Sequence, residues 1–318
     1  MKNHGSRYTP AVDYTVLAVG VATLDIINFV DRYPPEDRKV RALDQRVSRG
    51  GNSANTLEVL ARRGHRCRWA GVLVDEPDGR RITSSLDEFG IDYSGARLER
   101  TGKVPTSYIT ASRVTGSRTV VHYRAQPEFS AEDFSRIPLG DLHWLHIEGR
   151  APGETRSMIH RVRRERPELP ISLEFEKPRP GIDTLIDALA EAPQGATRIL
   201  PEVLIFNRDY VTSRGYTDAE PFLRECAPAG ATCFCTWGVS GAWVRTRTGD
   251  LHHHPAWEPS SVVDTIGAGD VFNAGVIEVM LRREDPLAAL AHATHLAGMK
   301  CGQVGFEGLD ETETPTFM

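Results

Sequence analysis

The sequence predicts an α/β protein: a sandwich with a mostly parallel sheet between layers of helix, plus a small β-sheet lid. Three observations carry this. Residues 14–21 are a continuous apolar run with β-branched side chains, the mark of a strand buried on both faces. Strand-like runs then alternate with helical periodicity, each run ending in polar residues. Two turn-rich β excursions, about 26–48 and 102–124, interrupt that alternation. A chain of 318 residues, 40% hydrophobic and 25% charged, is long enough for a sizeable core. The net charge of −5 suggests no basic surface for nucleic acid. Residues 1–12 read as a polar tail rather than a signal peptide, and the run 16–22 is far too short to cross a bilayer. The 5 cysteines are odd in number and irregularly placed, which argues for a reducing, cytoplasmic setting.

Taken in order, the first strand ends in Ala22-Thr23-Leu24-Asp25. A carboxylate at the C-terminal end of a parallel strand sits where open α/β sheets bind ligands, although Asp25 also suits a cap. Residues 26–30 and 40–47 read as short strands joined by a turn through Pro34 and Pro35. Arg49-Gly50-Gly51-Asn52-Ser53-Ala54-Asn55 then opens a helix. Asn52 and Asn55 are three apart and share a helical face, so both can reach one polar ligand; an ordinary capped start would use the same residues.

Residues 68–74 read as a strand and 79–89 as a helix. Residues 107–113 and 118–123 form a hairpin around a turn at 114–117, from which Arg118 either reaches a phosphate or stays solvated. Strands follow at 142–147, 171–175 and 203–206, with a solvated basic helix at 158–166 and another helix from Leu185. Residues 231–237 are a strand leading into Gly238-Val239-Ser240-Gly241. Cys233 and Cys235 are assigned to opposite faces of it, and His252-His253-His254 to a solvated loop, so neither group is read as a metal site. The C-terminal part is a helix at 288–300, a glycine-rich end at 301–308 and an acidic tail.

The most informative stretch is Asp264-Thr265-Ile266-Gly267-Ala268-Gly269-Asp270. Val262 and Val263 before it read as the end of a strand, and the apolar spacing after it places a helix start near Asp270. Glycines at a strand-to-helix junction admit positive φ and let an anion approach the amides. The first amides of a helix are unpaired and electropositive, so the junction is a site for a phosphate or an oxyanion. Asp270, at that spot, is placed to take a proton from an attacking hydroxyl. The chemistry this describes is phosphoryl transfer to an alcohol.

Asp264 through Ala274 resembles the C-terminal signature of the ribokinase-like sugar kinases, the phosphofructokinase-B family. Gly50-Gly51-Asn52-x-x-Asn55 resembles the N-terminal signature of that family. Further stretches resemble its ketohexokinase branch: Asp31-x-Tyr33-Pro34-x-Glu36-Asp37, Thr101-Gly102-x-Val104-Pro105, His146-Ile147-Glu148-Gly149-Arg150, Glu176-Lys177-Pro178-Arg179 and Ala297-Gly298-x-Lys300-Cys301-Gly302. The resemblance implies one ribokinase-like domain at 13–309, lid segments at about 26–48 and 102–124, and flexible tails at 1–12 and 310–318. It implies transfer of the ATP γ-phosphate to the 1-hydroxyl of a ketohexose, with Asp270 as base and Gly267, Ala268 and Gly269 as the anion hole. Asp25, Gly51, Asn52 and Asn55 would hold the sugar. Arg118, Trp237, Gly238, Gly241, Trp257, Asn273 and Cys301 would line the nucleotide. ATP and Mg2+ are the implied cofactors, with K+ a further candidate. Asp37 matches a lid residue that reaches the partner's sugar site, which implies a homodimer through the lid. The alternatives are a ribokinase, a 6-fructokinase, a nucleoside kinase or a non-catalytic sugar sensor. Two departures stand out: Tyr210 occupies the place where many relatives carry Glu three residues after Asn207, and the segment 181–201 is longer than its equivalent.

Overall fold

The computed structural model describes residues 14–190 and 199–310. The central sheet is laid down by β1 (Thr15–Val19), and the chain then leaves it through β2 (Thr23–Val30) and β3 (Asp44–Gly50) before α1 (Asn52–Arg62). Next come β4 (Arg66–Ala70), β5 (Val72–Val74), α2 (Pro77–Glu88), β6 (Arg97–Glu99), β7 (Thr106–Ser112) and β8 (Arg118–Tyr123). An alternating section follows: α3 (Ala131–Ser135), β9 (Trp144–Glu148), α4 (Pro152–Glu165), β10 (Ile171–Phe175), α5 (Ile182–Ala190), β11 (Val203–Asn207), α6 (Arg208–Ser213), α7 (Ala219–Cys226) and β12 (Thr232–Thr236). The chain ends with β13 (Ala242–Arg245), β14 (Leu251–His254), α8 (Ala268–Leu281) and α9 (Pro286–Cys301).

The large sheet runs β14-β13-β12-β11-β10-β9-β1-β4. It is parallel from β4 across to β12 and antiparallel only at the β12–β13–β14 edge. Alternation along β1 sends Leu17 and Val19 into one core, under α4 to α7, and Val16 and Ala18 into the other, under α1, α8 and α9. The expected sandwich is thus present, with helices covering both faces. No helix among the described residues is long and apolar enough to cross a membrane.

A second sheet, β3-β2-β7-β8, stands apart from the first. Its register puts Ser48, Asp25, Ser107 and His122 in one row across the strands, and Val47, Ile26, Tyr108 and Val121 in the next. Neighbouring rows point to opposite faces, so this polar row and this apolar row lie on opposite sides of the sheet. The apolar row is open: Val47 is 41% exposed, Tyr108 43% and Val121 65%.

Several elements differ from the sequence expectation. Asp25 lies inside β2, not at the end of β1, because the chain turns at Gly20–Ala22 and re-enters a strand at Thr23. Residues 40–43 form no strand, and β3 begins at Asp44. The single strand expected at 68–74 breaks at Gly71, packed against the Gly20 carbonyl and the Trp69 ring, and β5 pairs with β6 instead. Val262 and Val263 are exposed loop residues, not a strand. Residues 252–254 belong to edge strand β14 rather than a loop. Cys233 and Cys235 share one face and one core, as residues two apart in a strand must. Helix α4 is not simply solvated: Met158, Ile159 and Val162 are buried, and the buried Arg163 is tied to the Leu169 carbonyl and Glu202. The tails at 1–12 and 311–318 and residues 191–198 of the long 181–201 segment lie outside the described residues.

Candidate active site

The site lies where the C-terminal ends of β9 and β10 meet the N-termini of α1 and α8. Gly267 caps α8 at φ 83°, ψ 2°. That left-handed geometry favours glycine, and a Cβ there would lie 2.7 Å from Phe306 Cζ. Among the described residues, the amides of Gly267, Gly269 and Asp270 have no backbone acceptor, and that of Ala268 makes only a 3.4 Å bond to the Thr265 carbonyl. A Cβ on Gly269 would meet nothing within 4 Å. The helix start is therefore open to an incoming anion.

Asp270 is buried at this helix start. Its Oδ2 accepts from Asn55 Nδ2 at 2.7 Å, and its carbonyl accepts from Thr56 Oγ1 at 3.2 Å. Burial pushes its carboxyl well above the usual range, and Glu176 and Glu148 push the same way against Asn55 and Arg49. A carboxylate so perturbed, with one oxygen held and the other uncommitted, suits a general base.

Gly51 starts α1 at φ 102°, pressed on the Val21 carbonyl. Asn52 does not share Asn55's partner. It points to Glu174 Oε1 at 3.3 Å, and Asn273 donates to the same oxygen at 3.0 Å. Asn273, assigned above to the nucleotide, is thus turned inward and buried on Glu174. Glu148 Oε1 accepts the amides of Ser53 at 2.6 Å and Val21 at 3.2 Å, stitching α1 to the sheet. Burial, Glu176, Asp270 and Glu148 together hold the Glu174 carboxyl well above its ordinary range. Glu148 is also raised by burial, against the attraction of Arg150. These acids crowd one another, and a cation arriving with a ligand would relieve that.

Asp25 faces the same space from β2. Its Oδ1 accepts from Thr23 Oγ1 at 2.8 Å; burial raises its carboxyl, with the Thr23 and Ser107 hydroxyls pulling it back down. Ser107 and His122 lie beside it, Oγ to Nδ1 at 3.2 Å.

The second sheet also touches the signature loop. Arg46 Nη2 meets Asp264 Oδ2 at 3.0 Å, and Arg118 Nη1 donates to Thr265 Oγ1 at 2.8 Å. The buried Lys300 donates to the Asp264 carbonyl at 2.8 Å. Burial raises the Asp264 carboxyl, but Lys300, the Ile266 amide and Arg46 outweigh it and the net shift is downward. Cys301 belongs to this corner, its carbonyl accepting the Val263 amide at 2.8 Å. Farther along, Trp237 and Gly238 lead to Gly241, which packs on the His254 carbonyl; Trp257 packs on Gly298 and edge-on to His295. Asp37 lies on the exposed 31–43 loop at φ 56°, with no bond to the site of its own chain among the described residues.

Tyr210 is a core residue. It packs on Phe175, Phe206 and Phe222, with its hydroxyl 3.3 Å from Asp183 Oδ1, while Asn207 caps α6. Among the described residues no three His, Cys, Asp or Glu side chains converge as a metal cage. The His253 ring lies 4.2 Å from that of Trp243, tilted by 37°, and burial pushes the Cys233 thiol up to about 12. Sequence reasoning missed Glu174, Glu148, Ser107 and His122 as parts of one site. The visible signal was a charged residue closing each apolar strand.

A helix N-terminus with open amides and a buried carboxylate beside them is an arrangement that can receive a phosphoryl group and take up a proton. Residues 14–160 and 214–312 match the pfkB family carbohydrate kinases, and the chain belongs to that family. It is 35% identical to ketohexokinase of Mus musculus over 304 residues, 92% of this chain and 98% of the relative. It is 26% identical to an ATP-dependent ribose-1-phosphate kinase of Halopiger xanaduensis, over 91% of this chain and 93% of that one. In fold it superposes on a crystal structure described as a putative ribokinase from Agrobacterium tumefaciens with a TM-score of 0.77, at 22% identity and 94% coverage of both chains.

Proposed function

We propose that this carbohydrate kinase is a ketohexokinase, transferring the ATP γ-phosphate to the 1-hydroxyl of D-fructose. The observation that carries the mechanism is the Asp270 carboxylate, buried among acids, one oxygen bound by Asn55 and placed beside open α8 amides. The 1-hydroxyl gives its proton to Asp270 as its oxygen bonds to the γ-phosphorus. The bond from that phosphorus to the β,γ-bridging oxygen breaks, and ADP leaves. The amides of Gly267, Ala268 and Gly269 receive the charge on the phosphoryl group, with Arg118 beside them. Asp25, Gly51, Asn52 and Asn55 hold the sugar, and Trp237, Gly238, Gly241, Trp257 and Cys301 border the adenine side. Asn273 supports this through Glu174 rather than by touching nucleotide.

A Mg2+ ion bound with the nucleotide would neutralise phosphate charge. No three-donor cage is found among the described residues; Glu148, Glu174 and Glu176 would face such an ion and would help to hold it. The small sheet acts as a lid that excludes water. Its open row of Val47, Tyr108 and Val121 suits a second copy of the lid, which would carry Asp37 to the partner's sugar. The protein is read as a cytoplasmic homodimer.

Purified protein with MgATP, with and without K+, is offered a panel of sugars while ADP release is followed and the phosphate is located by NMR. Fructose 1-phosphate is the expected product. Phosphate on another sugar or carbon would overturn the substrate, and binding without turnover would favour a sensor.

A further inference from the structure

We propose that Arg49 is a positioning residue for the catalytic base, acting through Asn55. Resting on the kinase reading above, this gives the first residue of the glycine-rich segment a task distinct from holding sugar. Arg49 sits on β3 with its side chain buried. Its Nη1 donates to Asn55 Oδ1 at 2.9 Å, its Nη2 pairs with Glu58, and its Nε donates to Ser85 Oγ at 3.2 Å. A guanidinium can only donate. It therefore claims the carbonyl end of the Asn55 amide and forces the NH2 end toward Asp270 Oδ2, 2.7 Å away. One carboxylate oxygen is tethered and the other is presented to the substrate.

Stability alone is a weak reason for this arrangement. A buried ion pair such as Arg49–Glu58 usually adds little over apolar residues of the same volume. What it adds here is direction: Glu58, itself braced by Arg62, holds the guanidinium, the guanidinium holds the amide, and the amide holds the base. Arg49 also lies one residue beyond Ser48, the β3 partner of Asp25. The seating of one lid strand thus sets both a sugar ligand and the orientation of the base.

The test is a double-mutant cycle of Arg49→Met and Asn55→Ala, with Arg49→Lys as the conservative variant, on the sugar that the wild type turns over. Arg49→Met is expected to lower kcat about 10- to 100-fold with the ATP KM within about twofold. The acid limb of its kcat profile should move to higher pH, since Asp270 loses a nearby cation and its Asn55 donor is no longer held in place. In the Asn55→Ala background the same change should cost less than about threefold. Arg49→Lys should recover part of the loss. A second measurement needs neither turnover nor a folded variant. In the wild type, the Asn55 side-chain NH2 should give two widely separated proton signals protected from exchange. Additive losses in the cycle, an unchanged kcat in Arg49→Met, or a freely exchanging Asn55 amide would each overturn the proposal. Absence of turnover on every sugar would strike the kinase reading instead, leaving the Asn55 signals to decide the Arg49 contact.

Discussion

The start of α8 allows one substitution to be compared at two places with opposite consequences. Gly267→Ala forces an L side chain into φ 83°, which costs about 1–2 kcal/mol. The new Cβ would also lie 2.7 Å from Phe306 Cζ and 2.8 Å from Cε1, so the ring must shift. Overpacking adds about 1 kcal/mol, since Phe306 is only half-buried and can yield, for a total of roughly 2–3 kcal/mol. A chain of 318 residues should lose about 3–4 °C in Tm. Displacing the first turn should lower kcat at least about tenfold. At Gly269 the backbone is helical and a Cβ meets open space. Gly269→Ala should leave Tm unchanged or raise stability by up to about 1 kcal/mol. Yet it should cut kcat/KM for ATP, because the proposed mechanism brings the phosphate through that space. Thermal unfolding and ADP release on the same preparations read both effects. A Gly267→Ala protein with wild-type Tm and turnover would refute the strain and the anion site together. A Gly269→Ala protein of unchanged kinetics would refute the phosphate path.

Two further outcomes follow from other parts of the molecule. Glu278 is buried; burial raises its carboxyl, but His292 and Arg63 outweigh this and hold it at about 2 in the folded chain, against 4.5 unfolded. A depressed folded value means stability that is present above pH 4.5 and lost as pH falls toward 2, roughly 3 kcal/mol in all. Urea titrations from pH 6 to 3 should show that slope, reduced in Glu278→Gln; equal slopes would remove the network from the acid response. Val121→Glu, in the open apolar row of the lid, should convert a dimer to a monomer in light scattering at micromolar concentration while leaving Tm within about 2 °C. A wild-type monomer would contradict the lid-to-lid reading.

The layered fold and the Asp264–Asp270 junction were legible because they depend on local order. A long apolar run is driven into the interior, and paired glycines just before an apolar helical repeat mark a helix start. The helix start at Gly51 and the hairpin at 114–117 were legible for the same reason. What escaped was set by distant partners. Val262 and Val263 have strand-like side chains, but the large sheet has no place for them, and the Val263 amide bonds instead to the Cys301 carbonyl. The triple histidine becomes a strand only because β13 offers an edge. Glu148 and Glu174 close different strands, and only the parallel pairing of β9 and β10 makes them neighbours. Asn273 read as a nucleotide contact from its place in the signature, but the helical turn after Asp270 points it at Glu174. Arg49 looked like a flank to a glycine pair until the Asn55 amide was seen between it and Asp270.

The central claim is that Asp270 takes the proton from the attacking hydroxyl. Its most direct test is Asp270→Asn, with single-turnover phosphate transfer and calorimetric sugar binding measured on the same protein. Asparagine keeps the shape and an oxygen for Asn55 to bind, and removes only the base. The expected result is a fall in transfer rate of about 10²- to 10⁴-fold with sugar affinity within a few-fold of wild type. Transfer at close to the wild-type rate would contradict the claim, whatever the sugar.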